Sequence, residues 1–73
     1  MILTDLNPGE TGIINGIKGE SHLQNRLVEL GLLSGIVVRM VKQAPFSGPI
    51  EIKFRDSYLS IRWEDARQIT LKK

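Results

Sequence analysis

The sequence predicts a mainly β protein: a small five-stranded barrel carrying one short α-helix. Three observations lead there. Residues 50 to 63 alternate apolar and polar side chains over two runs joined by a polar turn, the pattern of a hairpin with one buried face. The stretch Ser21 to Gly35, SHLQNRLVELGLLSG, is where apolar residues recur at helical spacing. Finally, a chain of 73 residues buries only about 60% of its unfolded surface. Closing or nearly closing the sheet is then the economical way to cover its alternating faces and protect its edges. Residues 1–73 are expected to form a single domain.

At the start of the chain, Leu3 and Leu6 flank Thr4 and Asp5, and Asn7-Pro8-Gly9 follows as a turn in which Pro fixes φ and Gly accepts a positive one. The turn delivers a strand over Thr11 to Ile17. Its glycines, Gly12 and Gly16, predict a bent or bulged strand. Lys18-Gly19-Glu20 then leads into the helix.

In the helix, Ser21 and Gln24 have the spacing of a capping box, which would satisfy two orphan backbone donors reciprocally. Leu23, Leu27 and Leu30 recur at i, i+4 and i+7 and predict one buried stripe. Gly31 is placed to take a left-handed conformation just past the end, with Leu32 packing back on Leu27 in a Schellman arrangement. Ser21, Leu27, Gly31, Leu32 and Gly35 are therefore expected to matter for folding rather than chemistry.

After Gly35, residues 36 to 42 form a strand that alternates only in part, so either both faces are covered at its start or a bulge shifts its phase. Ala44 to Pro49 is a loop, because neither proline can donate to a ladder. Ile50, Ile52 and Phe54 then alternate with charged residues, and Leu59, Ile61 and Trp63 alternate with Tyr58, Ser60 and Arg62. With Asp56-Ser57 as a two-residue turn, Phe54 would face Leu59, Ile52 would face Ile61, Ile50 would face Trp63, and Glu51 would pair with Arg62 on the outer side. Residues 63 to 66 predict a single helical turn, and Gln68 to Lys72 the last strand, with Ile69 and Leu71 inward.

Composition excludes much chemistry. There is no cysteine, which removes disulfides, thiolate metal sites and cysteine nucleophiles and fits a reducing compartment. No apolar run approaches the roughly 18 residues of a membrane span, and the N-terminus lacks the features of a signal peptide. A cytoplasmic location is expected. Ten Lys and Arg against eight Asp and Glu leave a net charge of +2. The two signs interleave along the chain, whereas a nucleic-acid binder of this size clusters its basic residues.

His22 is the one histidine, and a zinc site needs three or four ligands, so no metal site is expected within a single chain. There is no spacing for a catalytic triad and no P-loop. Glu64 and Asp65 suit the first turn of a helix better than acid–base catalysis. Neither enzyme activity nor a cofactor is expected. Surface candidates remain. Arg26 is matched by Glu29 at i, i+3. Phe46 and Ser47 occupy a loop tip where an apolar side chain has little structural reason to be, and Phe46 either folds back onto the core or stays exposed.

Arg26-Leu27, Glu29-Leu30-Gly31-Leu32 and Gly35, followed by Ala44-Pro45, Gly48-Pro49-Ile50, Leu59, Arg62, Ala66 and Ile69, resemble the FeoA family of ferrous iron transport proteins. The opening Leu6, Pro8-Gly9-Glu10 and Gly12 extend the match to nearly the whole chain. Ser34 stands where the family usually has Pro, and Ser47 where it usually has Gly. The resemblance implies an SH3-like barrel and a small cytoplasmic accessory protein of ferrous iron uptake. It also implies a partner, the permease FeoB, contacted through its cytosolic G-protein region, and it carries over no metal ligand, catalytic residue or cofactor.

Contacts are expected from Arg26 and Glu29 on the outward helix face and from Phe46 and Ser47 in the loop. The same fold in metal-dependent repressors gives an alternative, a regulatory domain binding a peptide or nucleic acid. Weak self-association is a third expectation.

Overall fold

The structure, a computed structural model, describes residues 1–72. Five antiparallel strands form one sheet in the order β4-β3-β2-β1-β5: β1 (Thr11–Ile17), β2 (Val37–Gln43), β3 (Ile50–Phe54), β4 (Ser57–Ile61) and β5 (Ile69–Lys72). The helix α1 (Ser21–Glu29) links β1 to β2, and the short α2 (Trp63–Ala66) links β4 to β5. A 3-10 turn at Leu3–Asp5 precedes the sheet. Hydrogen bonding does not join β4 to β5, so the barrel is nearly rather than fully closed among the described residues.

One core fills the sheet's concave side. Leu3, Leu6, Leu32, Val38, Met40, Ile52, Ala66 and Ile69 have no exposed surface, and Ile14, Leu27, Ile50, Phe54, Ile61 and Leu71 complete the set. The chain's first residues are tied down from the far end of β2. There the Gln43 side-chain amide donates to the carbonyls of Thr4 and Leu6, at 3.1 and 2.8 Å.

Two bulges explain the imperfect alternation of the first strands. In β1 the pairing with β5 skips Asn15: Ile14 opposes Leu71 and Gly16 opposes Thr70. The Thr70 hydroxyl donates to the Gly16 carbonyl at 3.0 Å, and the Ser34 hydroxyl donates to the Asn15 carbonyl at 3.0 Å, so the distorted backbone keeps its acceptors occupied. Gly12 serves close approach rather than bending, since a Cβ there would lie 2.8 Å from Leu71 Cδ1. In β2 the skip falls at Val41, with Met40 opposite Ile52 and Lys42 opposite Glu51. Before it, Val37 to Met40 alternate outward and inward. Of the two alternatives left open by the sequence, the bulge is the one found.

The helix start differs from the expected capping box. Ser21 is already the first helical residue, and Glu20, extended at φ −73°, ψ 157°, is the cap, with no side-chain hydrogen bond at that position. Gln24 does reach back, but as a donor: its side-chain amide binds the Gly19 carbonyl at 3.1 Å. Gly19 at φ +102° turns the chain one residue earlier than the capping-box spacing requires, which leaves Ser21 exposed. Leu30 is 44% exposed and not part of the buried stripe. The helix ends at Glu29 with Leu30 as its exposed C-cap, and past the reversal at Gly31 it is Leu32 that enters the core.

The hairpin register is shifted by two. Phe54 opposes Ser57, Lys53 opposes Tyr58, Ile52 opposes Leu59, Glu51 opposes Ser60 and Ile50 opposes Ile61. The turn is therefore Arg55-Asp56, with Arg55 at φ 54°. A slip of two keeps every side chain on its face, so Ile50, Ile52, Phe54 and Ile61 remain buried. The outer-face partners change, however. Arg62 does not pair with Glu51; its Nε lies 3.6 Å from Asp65 Oδ2. Trp63 leaves the strand, begins α2 and is half-buried, with Arg67 over its ring at 4.8 Å.

Candidate functional site

The loop from Ala44 to Pro49 is a tight, internally bonded turn. The Ala44 N–H donates to the Pro49 carbonyl at 3.1 Å and closes its base, while the Gly48 N–H donates to the Pro45 carbonyl at 3.2 Å and closes its tip. Gly48 has to be small, because a Cβ there would sit 2.8 Å from Ala44 Cβ and 3.1 Å from the Pro45 oxygen. Between these closures Phe46 and Ser47 both take φ 58°, the left-handed region that non-glycine residues occupy at some strain.

The consequence is geometric. Phe46 does not fold back onto the core; its side chain is 100% exposed. The phenyl ring stands in solvent on a backbone with little freedom to retract it.

Ser47, Gly48 and Pro49 form one wall of a groove of about 260 Å³, and Arg62, Trp63 and Glu64 form the other. The sequence did not bring these two segments together, since the groove depends on how β4 delivers α2 to the loop. The usable signal was Trp63, an aromatic residue at the boundary between a strand pattern and a helical turn.

Arg26 and Glu29 are both exposed on α1, make no ion pair with each other, and do not line this groove. Near them α1 and its exit expose Val28, Leu30 and Leu33, each between 44 and 47%. The structure thus places the expected contact residues on two surfaces. One is the Phe46–Ser47 loop with its groove, and the other is the outward face of α1. Leu27, Gly31 and Leu32 lie beneath the second, and Gly35, at φ +93°, turns the chain from the helix exit toward β2.

Among the described residues no three His, Asp or Glu side chains converge in a way that could hold a metal ion, and His22 is exposed on the first turn of α1. Among the described residues no helix is long and apolar enough to cross a membrane. The groove walls carry one acid, one base and an indole, a set suited to recognition by shape, stacking and hydrogen bonding.

Comparison with known proteins agrees with this architecture. The model of the FeoA domain matches residues 1–73. A Porphyromonas gingivalis Fe(2+) transport protein A/Fe(2+) transporter FeoB fusion protein is 29% identical over 72 residues, covering 99% of this chain and 8% of the relative, so the chain spans a small fraction of that protein. The solution structure of a FeoA protein from Chlorobium tepidum superposes with a TM-score of 0.88 at 30% identity, covering 97% of this chain and 68% of the other. A manganese-dependent transcriptional repressor in complex with manganese shares the fold at 16% identity, with a TM-score of 0.90 over 99% of this chain and 35% of its own. That last likeness speaks to the fold alone. With a match to the family model along its whole length, the chain belongs to the FeoA family.

Proposed function

We propose that this protein is a non-enzymatic accessory factor of ferrous iron uptake that binds the cytosolic G-protein region of a FeoB-type permease. The fully exposed Phe46 carries this reading. An aromatic side chain displayed beside a groove on a hydrogen-bonded turn, with small residues around it, has the form of an interface anchor whose backbone is ordered before binding. The fusion of a related segment to a FeoB transporter in one polypeptide supports the choice of partner. Arg26 and Glu29, with Val28 and Leu30 between and beside them, provide a second contact surface of mixed polarity. The module would bias the partner's nucleotide cycle or assembly through contacts alone.

The test is an amide chemical-shift titration of the labelled protein with the soluble G-protein domain of a FeoB permease, in GDP and GTP-analogue forms. Saturable shifts at residues 44 to 49 and along α1 are expected. Phe46→Ala should weaken binding at least about tenfold while leaving the melting temperature unchanged. An unaltered affinity would remove the loop from the interface, and no response to either nucleotide form would remove the G-protein region as the partner.

A further inference from the structure

The convex face of the sheet, away from the loop and α1, gathers cations that are dispersed in the sequence. Arg39 on β2 directly opposes Lys53 on β3, and Lys72 on β5 opposes Ile13 on β1. Arg55 follows at the end of β3. None of these four side chains has a carboxylate within 4 Å among the described residues. Like charges directly opposite one another weaken a sheet, so the Arg39–Lys53 pair opposes folding. Lys53 finds some relief over the Tyr58 ring, 5.4 Å from its centroid. Arg39 has no ring over which to lie among the described residues.

These cations surround apolar surface. Ile13 and Val37 are register partners on adjacent strands and are 42 and 54% exposed. Two grooves of about 270 and 300 Å³ flank them and share Thr11 and Val37; Arg39, Lys53 and Arg55 border the first and Lys72 the second. Positive charge with no ion pair among the described residues, set around a shallow aliphatic floor, is complementary to carboxylates flanking an apolar side chain. Single-stranded nucleic acid fits less well, because base stacking needs a platform of aromatic faces, and this face offers one ring, Tyr58, with Lys53 over it, beside an aliphatic floor.

We propose that this outer face binds an extended acidic peptide segment, with its carboxylates on Arg39, Lys53, Arg55 and Lys72 and an apolar side chain seated against Ile13 and Val37. The surface is separate from the Phe46 loop, and the proposal stands without the permease.

The probe is a synthetic acetylated glutamate peptide with one central leucine, titrated into the labelled full chain, with three controls: the glutamine counterpart, single-stranded DNA, and vesicles of anionic phospholipid. Saturable shifts at Thr11, Ile13, Val37, Arg39 and Lys53 with the glutamate peptide are expected. Affinity should fall several-fold between about 20 and about 300 mM salt as the charges are screened. Arg39→Glu and Lys53→Glu should each weaken the peptide at least about tenfold. Arg39→Gln should weaken it too while holding or raising the melting temperature, a result that loss of folding cannot imitate. Equal binding of the glutamine peptide, no binding of the glutamate peptide, or a response confined to DNA or to vesicles would overturn the proposal.

Discussion

Leu32 donates its backbone N–H to the Leu27 carbonyl at 3.0 Å, and both side chains are buried in the core. With the Gly31 N–H bonded to the Val28 carbonyl at 2.9 Å, this closes a Schellman motif around Gly31 at φ +99°. The motif decides where α1 ends and therefore where β2 begins.

Gly31→Val should destabilise the protein by about 2–3 kcal/mol, because a β-branched residue is forced to positive φ. Its Cβ would also lie 3.4 Å from Phe54 Cε2. In a domain of this size that is a fall in Tm of roughly 10 °C or more. Gly31→Asn adds a Cβ in the same place but tolerates the left-handed region, so it should lose less than half as much. Equal losses in thermal melts would assign the effect to crowding against Phe54 instead.

The β3–β4 turn holds a stabilising substitution. Arg55 sits at φ 54°, where Asn is better tolerated. Arg55→Asn should raise stability by about 0.5 kcal/mol, a gain of roughly 2–4 °C in Tm. The same variant removes one cation from the outer face, so a higher Tm together with weaker binding of the acidic peptide would separate the turn's demand from the surface's.

The local alphabet was largely readable. The bounds of β1, the glycine stop of α1 and the inward set of β3 and β4 follow from glycine conformation and from a period of two, which a register slip of two leaves intact. What could not be read depended on partners distant in the chain. An Arg62–Glu51 pair requires the turn to lie one residue later than it does, and with the observed register Glu51 faces Ser60. The outer cationic face was hidden for a related reason. Arg39 and Lys53 are interleaved with neutral or acidic residues along the chain, but strand alternation places them on one side and sheet pairing places them opposite each other.

At α2, two surface contacts should differ in weight. The Arg62–Asp65 pair is 3.6 Å apart with Arg62 mostly exposed, and such pairs are worth about 0–1 kcal/mol. Arg67 covers the half-buried Trp63 ring at 4.8 Å, a contact of about 0.5–1 kcal/mol at an exposed site. Arg67→Ala should therefore lower Tm at least as much as Asp65→Asn. It should also shift the emission of Trp63, the one tryptophan in the chain, whereas Asp65→Asn should leave the emission in place.

The Phe46 loop is closed by the Ala44–Pro49 and Gly48–Pro45 backbone hydrogen bonds, Ala44 crowds position 48 from one side, and a double-mutant cycle can isolate that crowding. Gly48→Ala places a methyl 2.8 Å from Ala44 Cβ and 3.1 Å from the Pro45 oxygen. Something must shift, and a loss of about 1–2 kcal/mol is expected. Ala44→Gly alone removes a half-buried methyl and should have a small effect. Combined with Gly48→Ala it vacates the space the new methyl needs, so the double variant should recover more than half of the single variant's loss, a coupling of at least about 0.5 kcal/mol. Because the same backbone displays Phe46, affinity for the permease's G-protein domain should follow the pattern: weakened in Gly48→Ala and largely restored in the double variant. Simple additivity of the two melts would mean that the Pro45 carbonyl, rather than Ala44, limits the residue at position 48.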